Sequence, residues 1–222
     1  MRAAENLYEK LWGQDLKANL GVVFHGGVTL NYLSKEYLDS LQLRPLGYRG
    51  GVLLFRDEYS VAVKSFGIEG AMAGGYRGVI ITGQPGIGIG LANYRYSANK
   101  CFLSGKSCFL YYLLLQQLSK KTSVALERPD CFFLFSDDGV TMHDKTKSYI
   151  HLFPKITWAL SYSNDKTEQP CEAFLDDSQE DRAWIVQATS PKKERWKQWR
   201  TQHSAEMFVM KYFSVEEIMA LG

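Results

Sequence analysis

The chain has 222 residues, of which 45% are hydrophobic and 14% aromatic, enough to bury a substantial core in one large domain or in a domain with an N-terminal extension. A formal net charge of +2 is close to neutral, so bulk charge speaks against a nucleic-acid-binding or membrane-surface protein. The four cysteines, Cys101, Cys108, Cys131 and Cys171, have no CxxC spacing and fit free thiols in a reducing compartment, and the four histidines lack metal-ligand spacing.

Residues 1 to 18 predict an amphipathic helix with Leu7, Leu11 and Trp12 on one side. Glu5, Glu9 and Asp15 exclude the uncharged core of a signal peptide, and the longest apolar run, near 108 to 115, is too short to span a bilayer. A soluble protein of cytosol or nucleus, without a membrane partner, is expected. Gly21 to Gly27 reads as a breaker-rich segment and Tyr32 to Leu41 as a short helix or turn. Gly51 to Phe55 reads as a buried strand or helix start. Arg56-Asp57-Glu58-Tyr59 then opens a helix to about residue 68, as a solvated charge cluster or as part of an adenine cradle. Residues 1–76 are thus expected to form a partly helical, partly irregular extension.

Val79-Ile80-Ile81-Thr82 is an apolar strand leading into Gly83-Gln84-Pro85-Gly86-Ile87-Gly88, the front of a phosphate-binding loop. The end of such a loop, Lys106-Ser107, comes only after the segment Ile89 to Gly105; joining Gly88 to Lys106 gives GQPGIGKS, a full match to GxxxxGK[ST]. The chemistry needs each part: glycines let successive backbone N–H groups turn inward around phosphates, the lysine reaches the β and γ phosphates, and the hydroxyl binds Mg²⁺. Cys108 to Leu115 supplies the helix that should follow. A glycine-rich turn that binds nothing is the alternative. A dinucleotide site on Gly86-Ile87-Gly88-Ile89-Gly90 fails the GxGxxG spacing, because position 91 is Leu. The inserted segment carries no heptad or catalytic spacing, and its codons are compatible with a retained short intron. It is expected to take Lys106 away from the loop and so to impair ATP binding and hydrolysis.

Lys120-Lys121 suits a helix C-terminus, and residues 122 to 127 form a strand. Cys131 to Phe135 and Val140 to His143 flank Ser136-Asp137-Asp138-Gly139, a hairpin signature; the same acids imitate a metal-binding Walker B strand end, with Asp137 as the runner-up metal ligand. Residues 156 to 161 form the next strand, followed by Tyr162 and then, as the nearest carboxylate, Asp165. Residues 183 to 188 form a strand whose exit carries Thr189, with Gln187 behind it. Residues 192 to 200 form a helix in which buried Trp196 and Trp199 with solvated lysines account for the basic and aromatic mixture better than nucleic-acid contact does. A strand at 207 to 210 and a capping box, Ser214 with Glu217, open the last helix.

This alternation of strands and helices predicts a three-layer α/β fold with a mainly parallel sheet. From Arg77 to Leu221 the chain resembles the additional-strand P-loop NTPases, on the AAA and STAND side. The runs GQPGIG…KSCFLYYLL, WALSYSND, WIVQATSP and FSVEE resemble an uncharacterised fungal P-loop family related to Crinkler and retrotransposon-hot-spot proteins. The resemblance implies a P-loop NTPase-like domain over 77–222, interrupted at 89–105, that descends from an ATP-driven switch with a protein partner. It implies ATP and Mg²⁺ as cofactors, with nucleotide held by Gly83, Gly86, Gly88, Lys106 and Ser107, and by Gln84, Pro85 and Ile87 between them. It also implies a metal on Ser107 and on an acid near 162 (Asp165 at best), a sensor at Thr189, and the strand ending at Tyr162 lying beside the loop-bearing strand. The chain departs from the pattern in its split loop, in Tyr162 where an acid is expected, and in the lack of a helical lid before Gly222. A non-catalytic interaction module with a degenerate NTPase fold is the alternative.

Overall fold

The structure, a computed structural model, describes residues 1–66, 75–83, 105–147, 149, 152–154, 157–163, 168–176 and 183–220. Two sheets organise the chain. The first is a small antiparallel sheet of β1 (Gly21–His25), β2 (Val28–Leu33) and β3 (Leu53–Phe55), in that order. Where the sequence suggested only a breaker-rich segment, β1 and β2 pair as a hairpin, His25 opposite Val28. Gly26 and Gly27 make the two-residue turn with φ of +57° and +86°, values that residues with a Cβ adopt rarely. The N-terminal helix α1 (Arg2–Leu11) is shorter than expected, and α2 (Lys35–Ser40) and α3 (Asp57–Ser65) complete this part.

The second sheet has seven strands in the order β10-β4-β9-β8-β5-β6-β7. They are β4 (Gly78–Thr82), β5 (Val124–Glu127), β6 (Cys131–Ser136), β7 (Gly139–Asp144), β8 (Trp158–Tyr162), β9 (Trp184–Ala188) and β10 (Glu206–Val209). Strands β10, β4, β9, β8 and β5 run parallel, and β6 and β7 are antiparallel to their neighbours. The fold is therefore α/β with a mostly parallel sheet, as expected. The inner parallel strands β4, β9, β8 and β5 are largely apolar without alternation because helices cover both faces. Gly78 is small for a reason: a Cβ there would lie 2.2 Å from the carbonyl oxygen of Ile185 on β9.

On one face lies α4 (Gly105–Ser119), apolar on every side and buried between the sheet and the N-terminal leucines. Val79, Ile81, Leu126, Leu160, Trp184 and Val186 point toward it, and Leu7, Leu11, Leu33 and Leu53 of the N-terminal part share that core. On the other face Ile80, Ala125, Ala159 and Ile185 pack under α5 (Glu172–Leu175) and α6 (Lys197–Gln202), through Phe174 and Trp199. The final helix is α7 (Val215–Ala220), and its expected capping box is present: Ser214 N donates to Glu217 Oε2 at 2.7 Å, and Glu217 N to Ser214 Oγ at 3.2 Å. Among the described residues, no helix is long and apolar enough to cross a membrane.

Candidate nucleotide site

Strand β4 ends at Thr82 and runs out into Gly83, and its neighbour β9 ends at Ala188 and runs out into Thr189. The chain leaves β4 for α4 on one face of the sheet and leaves β9 for α6 on the other. The carboxyl ends of β4 and β9 therefore form a topological switch point, the crevice in which open α/β sheets hold ligands.

At this crevice Lys106, in the first turn of α4, donates from Nζ to the carbonyl oxygen of Gly83 at 3.2 Å. Lys106 is 5% exposed, and burial lowers its pKa from the ordinary lysine value. Ser107 is buried beside it. Although the insertion separates them in sequence, α4 begins at Gly105 and Lys106 reaches Gly83, the residue after β4; the expected displacement of Lys106 from residues 84–88 falls outside the described residues. Gln84, Pro85, Gly86, Ile87 and Gly88 lie outside the described residues.

Across the crevice, Thr189 N donates to Ile81 O at 2.9 Å and extends the ladder past the strand end. Its hydroxyl accepts from Ser163 Oγ at 2.6 Å and donates to Ser190 O at 3.2 Å. Two further buried hydroxyls, Thr82 Oγ1 and Ser190 Oγ, have no hydrogen-bond partner. Buried polar atoms are rarely left so; Thr82 is the last residue of β4, and Ser190 lies two residues past the end of β9. Gln187 does not back Thr189. Its Oε1 accepts from Trp199 Nε1 at 2.6 Å and its Nε2 donates to Glu168 O at 2.9 Å, which anchors α6. Trp196 and Trp199 are buried while Lys192, Lys193 and Lys197 are exposed, as expected of a packing helix.

The candidate metal acids fare differently. Asp165 lies outside the described residues. Tyr162 is at the carboxyl end of β8 and 47% exposed, but β8 is not beside β4 as expected, because β9 lies between them. Asp137 and Asp138 form the exposed two-residue turn of the β6–β7 hairpin, with Ser136 paired to Gly139. Since Val124 pairs with Phe135, that turn lies at the amino ends of the parallel strands, the opposite end of the sheet from Lys106. Neither acid can share a metal with Ser107. Among the described residues no group of three or more His, Cys, Asp or Glu could hold a metal ion.

Sequence reasoning missed two polar clusters. Glu127 ends β5 and is buried on the α5 face; burial pushes its carboxyl pKa up, and Ser161 and Lys145, whose Nζ is 3.8 Å from Oε1, offset part of that. Arg56, expected in a solvated cluster, is 4% exposed. Its Nε is 2.6 Å from Glu217 Oε1, its Nη2 donates to Glu217 Oε2 at 3.1 Å and to Tyr212 O at 2.9 Å, and its Nη1 is 2.8 Å from Glu58 Oε2. No local pattern signals these partners, because Arg56 and Glu217 are 161 positions apart.

No protein-family model, curated protein or solved structure matches the chain.

Proposed function

We propose that this protein binds a nucleoside triphosphate, with ATP as the reference ligand, at the carboxyl ends of β4 and β9, and that it hydrolyses it slowly or not at all. The observation that carries the reading is the 3.2 Å contact between Lys106 Nζ and Gly83 O, which joins the two halves of the split GxxxxGK[ST] motif at the switch point of the sheet.

The residues present suit a phosphate group. Lys106 is a buried cation whose charged form burial disfavours, so an anion at its ammonium would offset that cost. Thr82 Oγ1 and Ser190 Oγ are buried donors in want of acceptors. Ser107 is the residue that would hold Mg²⁺, which on binding neutralises charge between the β and γ phosphates. The acid that usually completes such a site has no counterpart at position 162, where Tyr162 stands exposed. Phosphoryl transfer rests on positioning and electrostatics, so a site with lysine and hydroxyls but, among the described residues, no carboxylate binds better than it turns over.

The test is calorimetric titration of the whole chain with Mg-ATP, beside Lys106→Ala. Loss of a charge-assisted contact worth roughly 1.5–3 kcal/mol should weaken binding by about tenfold to a hundredfold with the circular dichroism unchanged. No heat from the wild-type chain would favour the alternative, an interaction module that has lost its nucleotide.

A further inference from the structure

The N-terminal part of the chain reaches the candidate site through one side chain. Tyr59, in the first turn of α3 and fully buried, donates from its hydroxyl to the carbonyl oxygen of Gly105 at 3.0 Å. Gly105 is the first residue of α4, immediately before Lys106 and Ser107. Its carbonyl is one that the helix itself would bond only from the following turn, so an outside donor there fixes the pitch at which the first turn starts. The Tyr59 ring is held edge-on against Phe109, 5.2 Å between centroids, and tilted against Tyr112 at 5.2 Å, so the hydroxyl has a set direction.

Three residues before Tyr59, Arg56 fastens the same helix start to the end of the chain. Besides its bonds to Glu217 and Tyr212 O, its guanidinium lies over the Phe213 ring at 4.4 Å. Glu58 adds a second fastening, its Oε1 accepting from Lys211 N at 2.6 Å. Residue 211 follows Met210, whose N donates to Thr82 O at 2.7 Å at the end of β4. The contacts thus close a ring: Gly83 to Lys106, Gly105 to Tyr59, Arg56 and Glu58 to 211–217, and Met210 back to Thr82. Both sides of the phosphate crevice, the β4 end and the α4 start, are held by residues 56–59.

We propose that Tyr59 and Arg56 are positioning residues for the phosphate site, a strap that sets the first turn of α4 against the end of β4 and couples that turn to α7. The proposal rests on the nucleotide-binding reading for its consequence and on the ring of contacts for its geometry. By linkage, a strap that favours the binding-competent arrangement is itself tightened by the ligand. A ligand seated on Lys106 therefore slows the opening of α7, although the helix touches no phosphate.

The experiment pairs Tyr59→Phe with Arg56→Met and reads two quantities. Tyr59→Phe removes one oxygen and keeps the ring contacts. It should weaken Mg-ATP binding roughly threefold to tenfold, the range to which the net worth of one neutral hydrogen bond converts. Without nucleotide it should also speed amide hydrogen exchange over 109–112, whose N–H groups bond the carbonyls of the first turn. Arg56→Met should speed exchange over 211–220, and the protection that Mg-ATP confers on those amides in the wild-type chain should disappear. If Tyr59→Phe leaves both affinity and nucleotide-free exchange at 109–112 unchanged, the strap is refuted. Should the wild-type chain bind no Mg-ATP, the nucleotide reading fails by itself, and the strap is still decided by the nucleotide-free exchange of the two variants. If Arg56→Met does not fold, Tyr59→Phe decides alone.

Discussion

Lys106 and Gly83 stand 23 positions apart, and the ammonium of the first donates to the carbonyl oxygen of the second at 3.2 Å. Between them runs the segment that splits the motif. A helix start at Gly105 and a strand end at Gly83 are therefore adjacent whatever length of chain joins them. Closing a longer loop costs little, about 0.6 kcal/mol for each doubling of its length.

It follows that removing residues 89–105 changes affinity modestly. Titration of the deleted chain, in which Gly88 joins Lys106, should give a dissociation constant for Mg-ATP within about tenfold of the full chain's, because the entropy at stake is a fraction of a kcal/mol to about 1 kcal/mol. A gain of several orders of magnitude would mean that the inserted segment holds the site shut.

The acid positions separate in the same assay. Tyr162→Asp places a carboxylate at the exposed carboxyl end of β8, on the crevice side of the sheet. It should raise ATP turnover by at least tenfold, since one preorganised electrostatic group is worth roughly a hundredfold to a thousandfold. Asp137→Ala and Asp138→Ala lie at the far end of the sheet and should leave nucleotide affinity and turnover where they were. A collapse of turnover in either, with the fold intact, would move the metal to the hairpin.

Glu127 makes stability depend on pH. Burial raises its folded-state pKa above the unfolded value, so the folded chain holds this proton more tightly than the unfolded one. Its contribution is then greatest below the ordinary glutamate value of about 4.3, and it is lost as pH rises through the raised folded value. Replacing it by Gln removes that dependence. Thermal melts should show Glu127→Gln at least as stable as the wild-type chain near pH 7, with the advantage shrinking toward pH 4. An advantage that grows on acidification would reverse the sign of the shift.

Much of the large sheet is legible in the sequence for a simple reason. Its inner parallel strands are buried on both sides, so Val79 to Thr82, Val124 to Leu126 and Trp184 to Val186 stand out as largely apolar runs between charged or glycine-rich stretches. The β6–β7 hairpin is legible because Asp137-Asp138-Gly139 is turn chemistry between β-formers. The order of strands is not, since nothing within Ile156 to Ser161 says which strand will lie beside it, and β8 accordingly pairs with β9 and β5 rather than β4. Nor is the small sheet, whose hairpin turns on two glycines that read equally well as a break. In the candidate site, Gly83, Lys106, Ser107 and Thr189 follow from motif and strand ends. The Ser163 hydroxyl on Thr189, the hold of Trp199 on Gln187 and the bond from Tyr59 to Gly105 arise from tertiary contact between distant segments, which periodicity cannot report.

Strand β4 is flanked by β9 and β10, both of which begin more than a hundred residues later in the chain. During synthesis Gly78 to Thr82 emerges before either partner exists, and residues that end fully walled in must wait in water while more than a hundred others are added, on the order of ten seconds at about 5–20 residues per second. Until then the nascent chain carries a bare apolar edge that invites wrong pairings, which a holding chaperone would cover. Completion of the sheet is thus a single late event, and the crevice that would take a phosphate comes into being only with it.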